Sequence, residues 1–290
     1  MSERVSQIAA HLNYPKGMLA GQTAIITGSG QGIGAETARL FANEGAKVVV
    51  SDIDAAKAQA VADSINSTSP GQALAVAGDV LDGSFITSLV SQAADFGGGK
   101  LHIVVNNAGY TWDGTLHKMS DAQWSTIVDL HVTAPFRLIR AAAPYFRVSD
   151  GEARCVVNIS STSGVHGNAG QANYAVAKAG VTGLTKTIAK EWGPRFGVRA
   201  NTVAFGFIQT RLTQAKENGL FVTGPKGERI AVGIPRSGAK QGSDEQRLAD
   251  IPLRRPGQPS EAAAAILAVA SPLFSYVTGQ TIMVTGGRNM

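Results

Sequence analysis

From Gln22 onward, short apolar runs rich in β-branched residues alternate with longer alanine-rich stretches that carry polar side chains at helical spacing. The order is TAIIT (23–27), AETARLFANEG (35–45), KVVVS (47–51), AAKAQAVADSI (55–65), ALAVA (73–77), SLVSQAADF (88–96) and LHIVVN (101–106). A long helix over about 121–147 follows, then a strand at 153–160, a helix over about 172–192, a strand at 198–204, a helix over about 260–270 and a strand at 280–285. The strands read as continuous apolar runs, the pattern of a sheet covered by helices on both faces. Repeated strand–helix alternation predicts βαβ units and a parallel sheet. The expected architecture is therefore α/β, a doubly wound parallel sheet of about seven strands. Residues 1–18 form an N-terminal arm, and no linker rich in Pro or Ser divides 19–290, which reads as one domain. Residues 205–259 break the rhythm with Gly, Pro and charged residues, and a segment of that length predicts a loop or lid over a site.

Composition narrows the classes. The 290 residues are 44% hydrophobic and 16% charged, which is the balance of a globular protein. The net charge of +5 is spread thinly, and the densest basic pair, Arg254 and Arg255, lies between Pro252 and Pro256, so no nucleic-acid partner is expected. A single cysteine, Cys155, excludes an intrachain disulfide and a cysteine-based zinc cluster, and suits a reducing, cytoplasmic setting. The five histidines are scattered, and no catalytic metal is expected. The longest apolar helix candidate, 262–270, stops at Ser271 and Pro272, far short of the roughly 20 residues a membrane span needs, so no membrane insertion is expected. The first twenty residues lack the long apolar core of a secretory signal, and an organelle-targeting role for the arm stays open.

Glycine is abundant, at 34 residues, and its placement is specific. Directly after the first predicted strand comes Gly28-Ser29-Gly30-Gln31-Gly32-Ile33-Gly34, at the start of a helix. Glycines at 28, 32 and 34 permit a tight turn, close approach of backbone to a diphosphate, and packing of helix on strand, while the helix N-terminus supplies N–H donors. The second strand ends at Asp52, eighteen residues beyond Gly34, where a carboxylate can accept hydrogen bonds from adenosine ribose hydroxyls. A loop aspartate capping the next helix fits the same position. If Asp52 meets the ribose, it repels a 2′-phosphate, and no arginine stands in the glycine turn or just after the second strand. NAD is then favoured over NADP, with Lys57 as the nearest cation in sequence. Together these features predict a Rossmann fold.

Tyr174 and Lys178 stand four apart on a predicted helix, hence on one face. An ammonium beside a phenol stabilises phenolate and lowers the tyrosine pKa from about 10 toward neutrality. Thirteen residues earlier, Ser161 lies at the carboxyl edge of a strand, where open α/β sheets place their ligands. From spacing alone, the Tyr and Lys are equally a helix-surface pair.

Taken together, TGSGQGIG (27–34), Asp79 in GDV, NNAG (106–109), NISS (158–161) and YAVAK (174–178) resemble the short-chain dehydrogenase/reductase family from about Leu19 to Arg288. The resemblance implies an oxidoreductase that moves hydride between a nicotinamide coenzyme and a secondary alcohol or ketone. It implies that Ser161 orients the substrate oxygen, Tyr174 is the general acid or base, and Lys178 binds the nicotinamide ribose. It further implies that the turn from Gly28 to Gly34, with Asp52 and Ile53, holds the diphosphate and ribose. Asp79 and Val80 would meet the adenine, Asn107, Ala108 and Gly109 would line the cleft, and Ile208 and Thr210 would meet the carboxamide. His166, Gln171 and Phe207 are expected to face substrate. A homo-oligomer, dimer or tetramer, built on the helices around 122–147 and 172–192, follows from the same resemblance.

Two positions depart from the family pattern. Where the family often has an asparagine that holds a water in a proton relay, this chain has His131, which is either a relay in altered form or a core histidine satisfied by backbone. The usual Pro-Gly after the sixth strand is Phe205-Gly206. The segments GQANYAVAKAGVTGLTK and TGQTIMVTGG are similar to 3-oxoacyl carrier-protein reductases, and the basic lid residues Lys216, Lys226, Arg229, Arg236 and Lys240 suit an acidic acyl thioester, although a solvated loop face would look the same. Hydroxysteroid or polyol oxidation, and a non-catalytic nucleotide-binding scaffold, are the alternatives.

Overall fold

The computed structural model describes residues 14, 16–215, 219–224, 227–233 and 248–288. Strand β1 (Thr23–Thr27) leads into helix α1 (Gly32–Asn43), followed by β2 (Lys47–Asp52), α2 (Ala55–Thr68), β3 (Ala73–Ala77), α3 (Gly83–Phe96) and β4 (Ile103–Asn106). After α4 (Asp121–Val128) and α5 (Ala134–Phe146) come β5 (Cys155–Ser161), a short α6 (Thr162–His166), α7 (Ala172–Phe196) and β6 (Arg199–Phe205). A small hairpin, β7 (Phe221–Thr223) with β8 (Arg229–Ala231), precedes α8 (Pro259–Ala270) and β9 (Thr281–Val284). The seven long strands form one parallel sheet in the order β3-β2-β1-β4-β5-β6-β9.

Because both faces are covered, neighbouring residues of one strand enter opposite cores. Ile26, Val48, Val50, Val105, Val157 and Val203 pack with Phe41 under α1, α2 and α8. Ile25, Val49, Val104, Val156 and Ala200 pack with Phe146 under α3, α5 and α7. This is why the strands read as unbroken apolar runs. The chain moves outward from β1 to β2 and β3, then crosses back to β4, so the strand order reverses beside β1. Such a reversal opens a crevice beyond the carboxyl ends of the strands, the usual ligand site of open α/β sheets. The glycine turn, Asp52, Asp79, Asn107, Ser161 and Phe205 all stand at that edge.

Three elements differ from expectation. The helix expected over 121–147 is interrupted by a π-helical turn, Asp129–Thr133, which contains His131. Pro135 follows immediately: it lacks an N–H and its ring would clash with the carbonyl four residues back, that of His131, and widening the helix relieves both. Helix α7 runs four residues beyond the expected Trp192, to Phe196, and ends on a left-handed Gly197. The lid carries the hairpin β7–β8, whose three-residue strands are too short to leave a periodic signal. Its base is stitched shut: Gln209 N–H donates to Gly257 O (2.8 Å) and Gly257 N–H to Phe207 O (2.9 Å). Lys216, Lys226, Arg236 and Lys240, and most of the N-terminal arm, lie outside the described residues.

Candidate active site

A cleft of about 410 Å³ runs along the carboxyl edge of β1, β2, β3 and β4. Gly28, Gln31, Gly32, Ile33 and Gly34 form its floor, Asp52, Ile53, Asp79 and Val80 one end, and Asn107, Ala108 and Gly109 the other. The floor is a close fit: a Cβ on Gly34 would fall 2.3 Å from Gly28 O and 2.6 Å from Asn107 Nδ2. The Asn107 amide spans the same gap, donating to Thr27 O (2.9 Å) and Gly28 O (3.0 Å), so the NNAG segment clamps the glycine turn. Ser29 is not part of the floor. It is fully buried, with its hydroxyl donating to Ile26 O (2.6 Å) and accepting from Ser51 N–H (3.0 Å), and it fixes the turn from beneath. Gly30 likewise stays off the cleft wall and donates its N–H to Asp52 Oδ2 (2.9 Å).

Asp52 is buried at the end of β2, and its second oxygen accepts from Asp54 N–H (3.0 Å). Lys57 is engaged elsewhere, paired with Asp54 at 2.7 Å. Two buried side-chain atoms among the described residues have no hydrogen-bond partner, Ser51 Oγ and His131 Nδ1, and both residues line a cavity at this edge. A backbone cradle open to a diphosphate, a carboxylate at the strand end and an unpartnered hydroxyl beside it fit a dinucleotide.

A second cavity, about 720 Å³, adjoins the first and shares Ile33, Asn107, Gly109, Tyr110, Thr210 and Leu212 with it. Ser161, Tyr174 and Lys178 line it, together with Gln171, Phe205, Phe207 and Ile208. Sheet and helix converge here. Ser161 ends β5, where its hydroxyl caps α6 by accepting Ser163 N–H (3.2 Å), and Tyr174 and Lys178 share one face of α7. Lys178 Nζ lies 5.6 Å from the Tyr174 ring centre and donates to Ile159 O (2.7 Å).

The electrostatics differ from the expectation that Lys178 brings Tyr174 toward neutrality. Burial and the Asp113 charge push the phenol up to about 12, although the Ser161 hydroxyl pulls the other way. Burial pushes Lys178 down to about 7. Burial withholds water from both charged forms and so favours the neutral form of each.

His131 Nε2 lies 2.8 Å from Tyr110 O, so this nitrogen carries the proton and donates. Burial and the Lys178 charge hold the imidazole pKa well below its ordinary value, which leaves His131 neutral with a bare Nδ1 lone pair. Its ring meets the Tyr174 ring edge-on at 5.1 Å. A Cβ on Gly109 would fall 2.1 Å from His131 Cε1, so the imidazole fits only against a glycine at that point.

One expected substrate contact falls away. His166 is exposed at the end of α6 and does not line the cavity, because the chain turns outward there at Gly167 (φ 75°). Gln171, expected to face substrate, lines this cavity: it is held by Ser163 Oγ (2.8 Å) and itself donates to Asp113 Oδ1 (3.2 Å), forming a polar wall with Asn168. Several residues join that the sequence did not single out. Buried Asn173 anchors the start of α7 by donating to Trp112 O (3.1 Å) and Gln123 O (3.0 Å). Tyr110 is pushed up to about 12 by burial and by the Asp79 and Glu228 charges. Arg211, Thr223 and Gly224 come from the lid to the coenzyme cleft, and Arg288, paired with Asp250 (2.6 Å), reaches the second cavity.

Residues 22–220 match the family model described as short chain dehydrogenase. The chain belongs to the short-chain dehydrogenase family. Residues 224–289 match a second model, described as Enoyl-(Acyl carrier protein) reductase. Among curated relatives, the 3-oxoacyl-[acyl-carrier-protein] reductase of Vibrio cholerae is 38% identical over 276 residues, covering 94% of this chain and 99% of that one. The same-named protein of Thermotoga maritima is 36% identical, with 93% and 98% covered. A solved short-chain dehydrogenase from Brucella melitensis, described as glucose/ribitol dehydrogenase, superposes with a TM-score of 0.78 at 26% identity, covering 95% of this chain and 99% of that one. As a short-chain dehydrogenase, the chain is an oxidoreductase that uses a nicotinamide coenzyme on alcohol or ketone groups. Among the described residues no helix is long and apolar enough to cross a membrane.

Proposed function

We propose that this short-chain dehydrogenase reduces 3-oxoacyl thioesters, bound to carrier protein or coenzyme A, with NADH. The observation that carries the direction is the Tyr174 phenol, pushed up to about 12 by burial, hence protonated at pH 7 and suited to donate to a carbonyl oxygen. The relatives named as 3-oxoacyl carrier-protein reductases support the substrate class. Asp52 supports NADH, its carboxylate standing where a 2′-phosphate would enter. Residues 19–290 read as one catalytic domain, with 205–259 as a lid inserted over the site.

When bound, the nicotinamide coenzyme supplies the hydride that the carbonyl carbon receives. Ser161 orients the carbonyl oxygen by donating a hydrogen bond, and Tyr174 Oη delivers its proton to the same oxygen, leaving tyrosinate. Lys178, titrating near 7 one helical turn away, steadies that tyrosinate as ammonium and is positioned to hold the coenzyme ribose. His131 Nδ1 offers an acceptor on the way by which a proton returns to Tyr174, the role we assign to its unpartnered lone pair. Phe207 and Gln171 bound the acyl chain. Exposed Trp124, Phe136 and Val176, on α4, α5 and α7, are the faces we propose for pairing of copies, and the lone buried Cys155 suits the cytoplasm.

Two measurements test this reading. Initial rates with acetoacetyl-coenzyme A, steroids and polyols should give kcat/KM highest for the thioester. A polyol preference would favour oxidation at the polar wall of Asp113, Asn168 and Gln171, the feature that speaks for that second reading. The pH profile follows from Lys178. Its folded pKa, near 7, lies below its ordinary value, so the ammonium is present below 7 and lost above it. The kcat/KM of reduction for NADH, which reports the free enzyme, should fall as pH rises through about 7, and a profile flat to pH 9 would remove Lys178 from the mechanism.

A further inference from the structure

The sequence offers no arginine beside the ribose end of the coenzyme cleft, but the fold brings one there from a distance. Arg211 follows Thr210 just beyond β6, in the first turn of the lid, and lines the same cleft as Asp52, Ile53 and Asp79. It is the only cationic side chain among the described residues of that lining. Its guanidinium has no hydrogen-bond or ion-pair partner among the described residues and is partly withdrawn from water, which lowers its pKa, while the Asp52 and Asp54 charges act the other way. It shares that lining with Asp52 and Ile53, which stand at the ribose end of the cleft.

Charge balance at that end decides what it admits. Asp52, Asp54 and Asp79 with Lys57 alone leave an excess of two negative charges, and a 2′-phosphate, itself an anion, would enter against it. Arg211 halves the excess. A guanidinium presents a planar fork of N–H donors that matches a phosphate in two parallel bonds, and one that lacks a protein partner is free to make them. Asp52 keeps its own use, with both oxygens already bound by backbone N–H groups and lone pairs remaining for a ribose hydroxyl.

Resting on the coenzyme reading above, we propose that Arg211 determines specificity at the adenosine 2′-position, pairing with the 2′-phosphate of NADP(H) and so giving this enzyme access to the phosphorylated coenzyme that Asp52 alone would repel. The diphosphate, common to both coenzymes, is the other phosphate within the cleft, and the test separates the two.

Equilibrium titrations of NADH and NADPH, read by nicotinamide fluorescence, and of AMP and 2′-AMP, read by calorimetry, should be made with the full-length protein and with Arg211→Met and Arg211→Lys. Arg211→Met should raise the Kd of NADPH and of 2′-AMP tenfold or more, and those of NADH and AMP less than threefold. Arg211→Lys should recover part of the loss. Equal weakening of NADH and NADPH would overturn the proposal in favour of a diphosphate contact, and unchanged affinities for all four would overturn it in favour of a solvated lid arginine. The NADH reading stands or falls separately, on the ratio of the two Kd values in the unaltered protein: a preference for NADPH there would sink it without touching the effect of Arg211→Met.

Discussion

Tyr174→Phe is expected to lower kcat for carbonyl reduction by about 10²–10⁴-fold, the usual contribution of a positioned proton donor. The substitution deletes one oxygen and keeps the ring, so the edge-on contact with His131 and the packing of α7 on β5 persist. Coenzyme Kd should change less than threefold, because the residues assigned to the diphosphate and the adenosine ribose line the adjoining cavity. Steady-state kinetics with acetoacetyl-coenzyme A, beside a fluorescence titration of NADH, separates the two effects. A variant with kcat within threefold of the unaltered enzyme would show that the proton comes from a group other than Tyr174.

Gly34→Ala is expected to damage both fold and coenzyme binding. The new methyl group would meet backbone on two sides, Gly28 O at 2.3 Å and Ser29 Cα at 2.8 Å, with the Asn107 amide at 2.6 Å. No flexible side-chain end is available to give way except that amide, and moving it breaks the two hydrogen bonds that hold the turn to the end of β4. Forcing a methyl group into a packed site costs about 1–3 kcal/mol. For a chain of this size that lowers Tm by about 2–5 °C. The displaced turn also loses its approach to the diphosphate, and the Kd of NADH should rise at least tenfold. Differential scanning calorimetry and the same titration measure the two, and an unchanged Kd would show that the glycine turn does not carry the coenzyme.

What the sequence made legible was local. Each strand announced itself as an apolar run because both of its faces are buried, and the glycine turn, Asp52, Asn107, Ser161, Tyr174 and Lys178 were readable because each stands at a strand end or within one helical turn of a partner. What escaped depends on contacts made across the chain. Arg211 meets the field of Asp52 only after β6 and the lid have crossed the sheet edge. Asn173 looks like any polar neighbour of a tyrosine until its amide is found on the carbonyls of Trp112 and Gln123. The π-turn at His131 could have been suspected from Pro135, whose missing N–H falls inside an otherwise unbroken helical pattern. His166 failed for a geometric reason, since the five-residue helix after Ser161 carries its last side chain out to solvent. The Tyr174 pKa reversed because spacing reports the nearby ammonium but not the loss of water around both groups.

The central claim is that hydride passes between a nicotinamide coenzyme in the first cavity and a carbonyl carbon held beside Ser161 and Tyr174 in the second. Its most direct test is a single turnover with NADH carrying deuterium at C4 and acetoacetyl-coenzyme A, followed by mass spectrometry of the product. The expected product is 3-hydroxybutyryl-coenzyme A with deuterium at C3, formed in step with the loss of nicotinamide absorbance. Intact thioester and unconsumed NADH, from folded protein that binds the coenzyme, would contradict it.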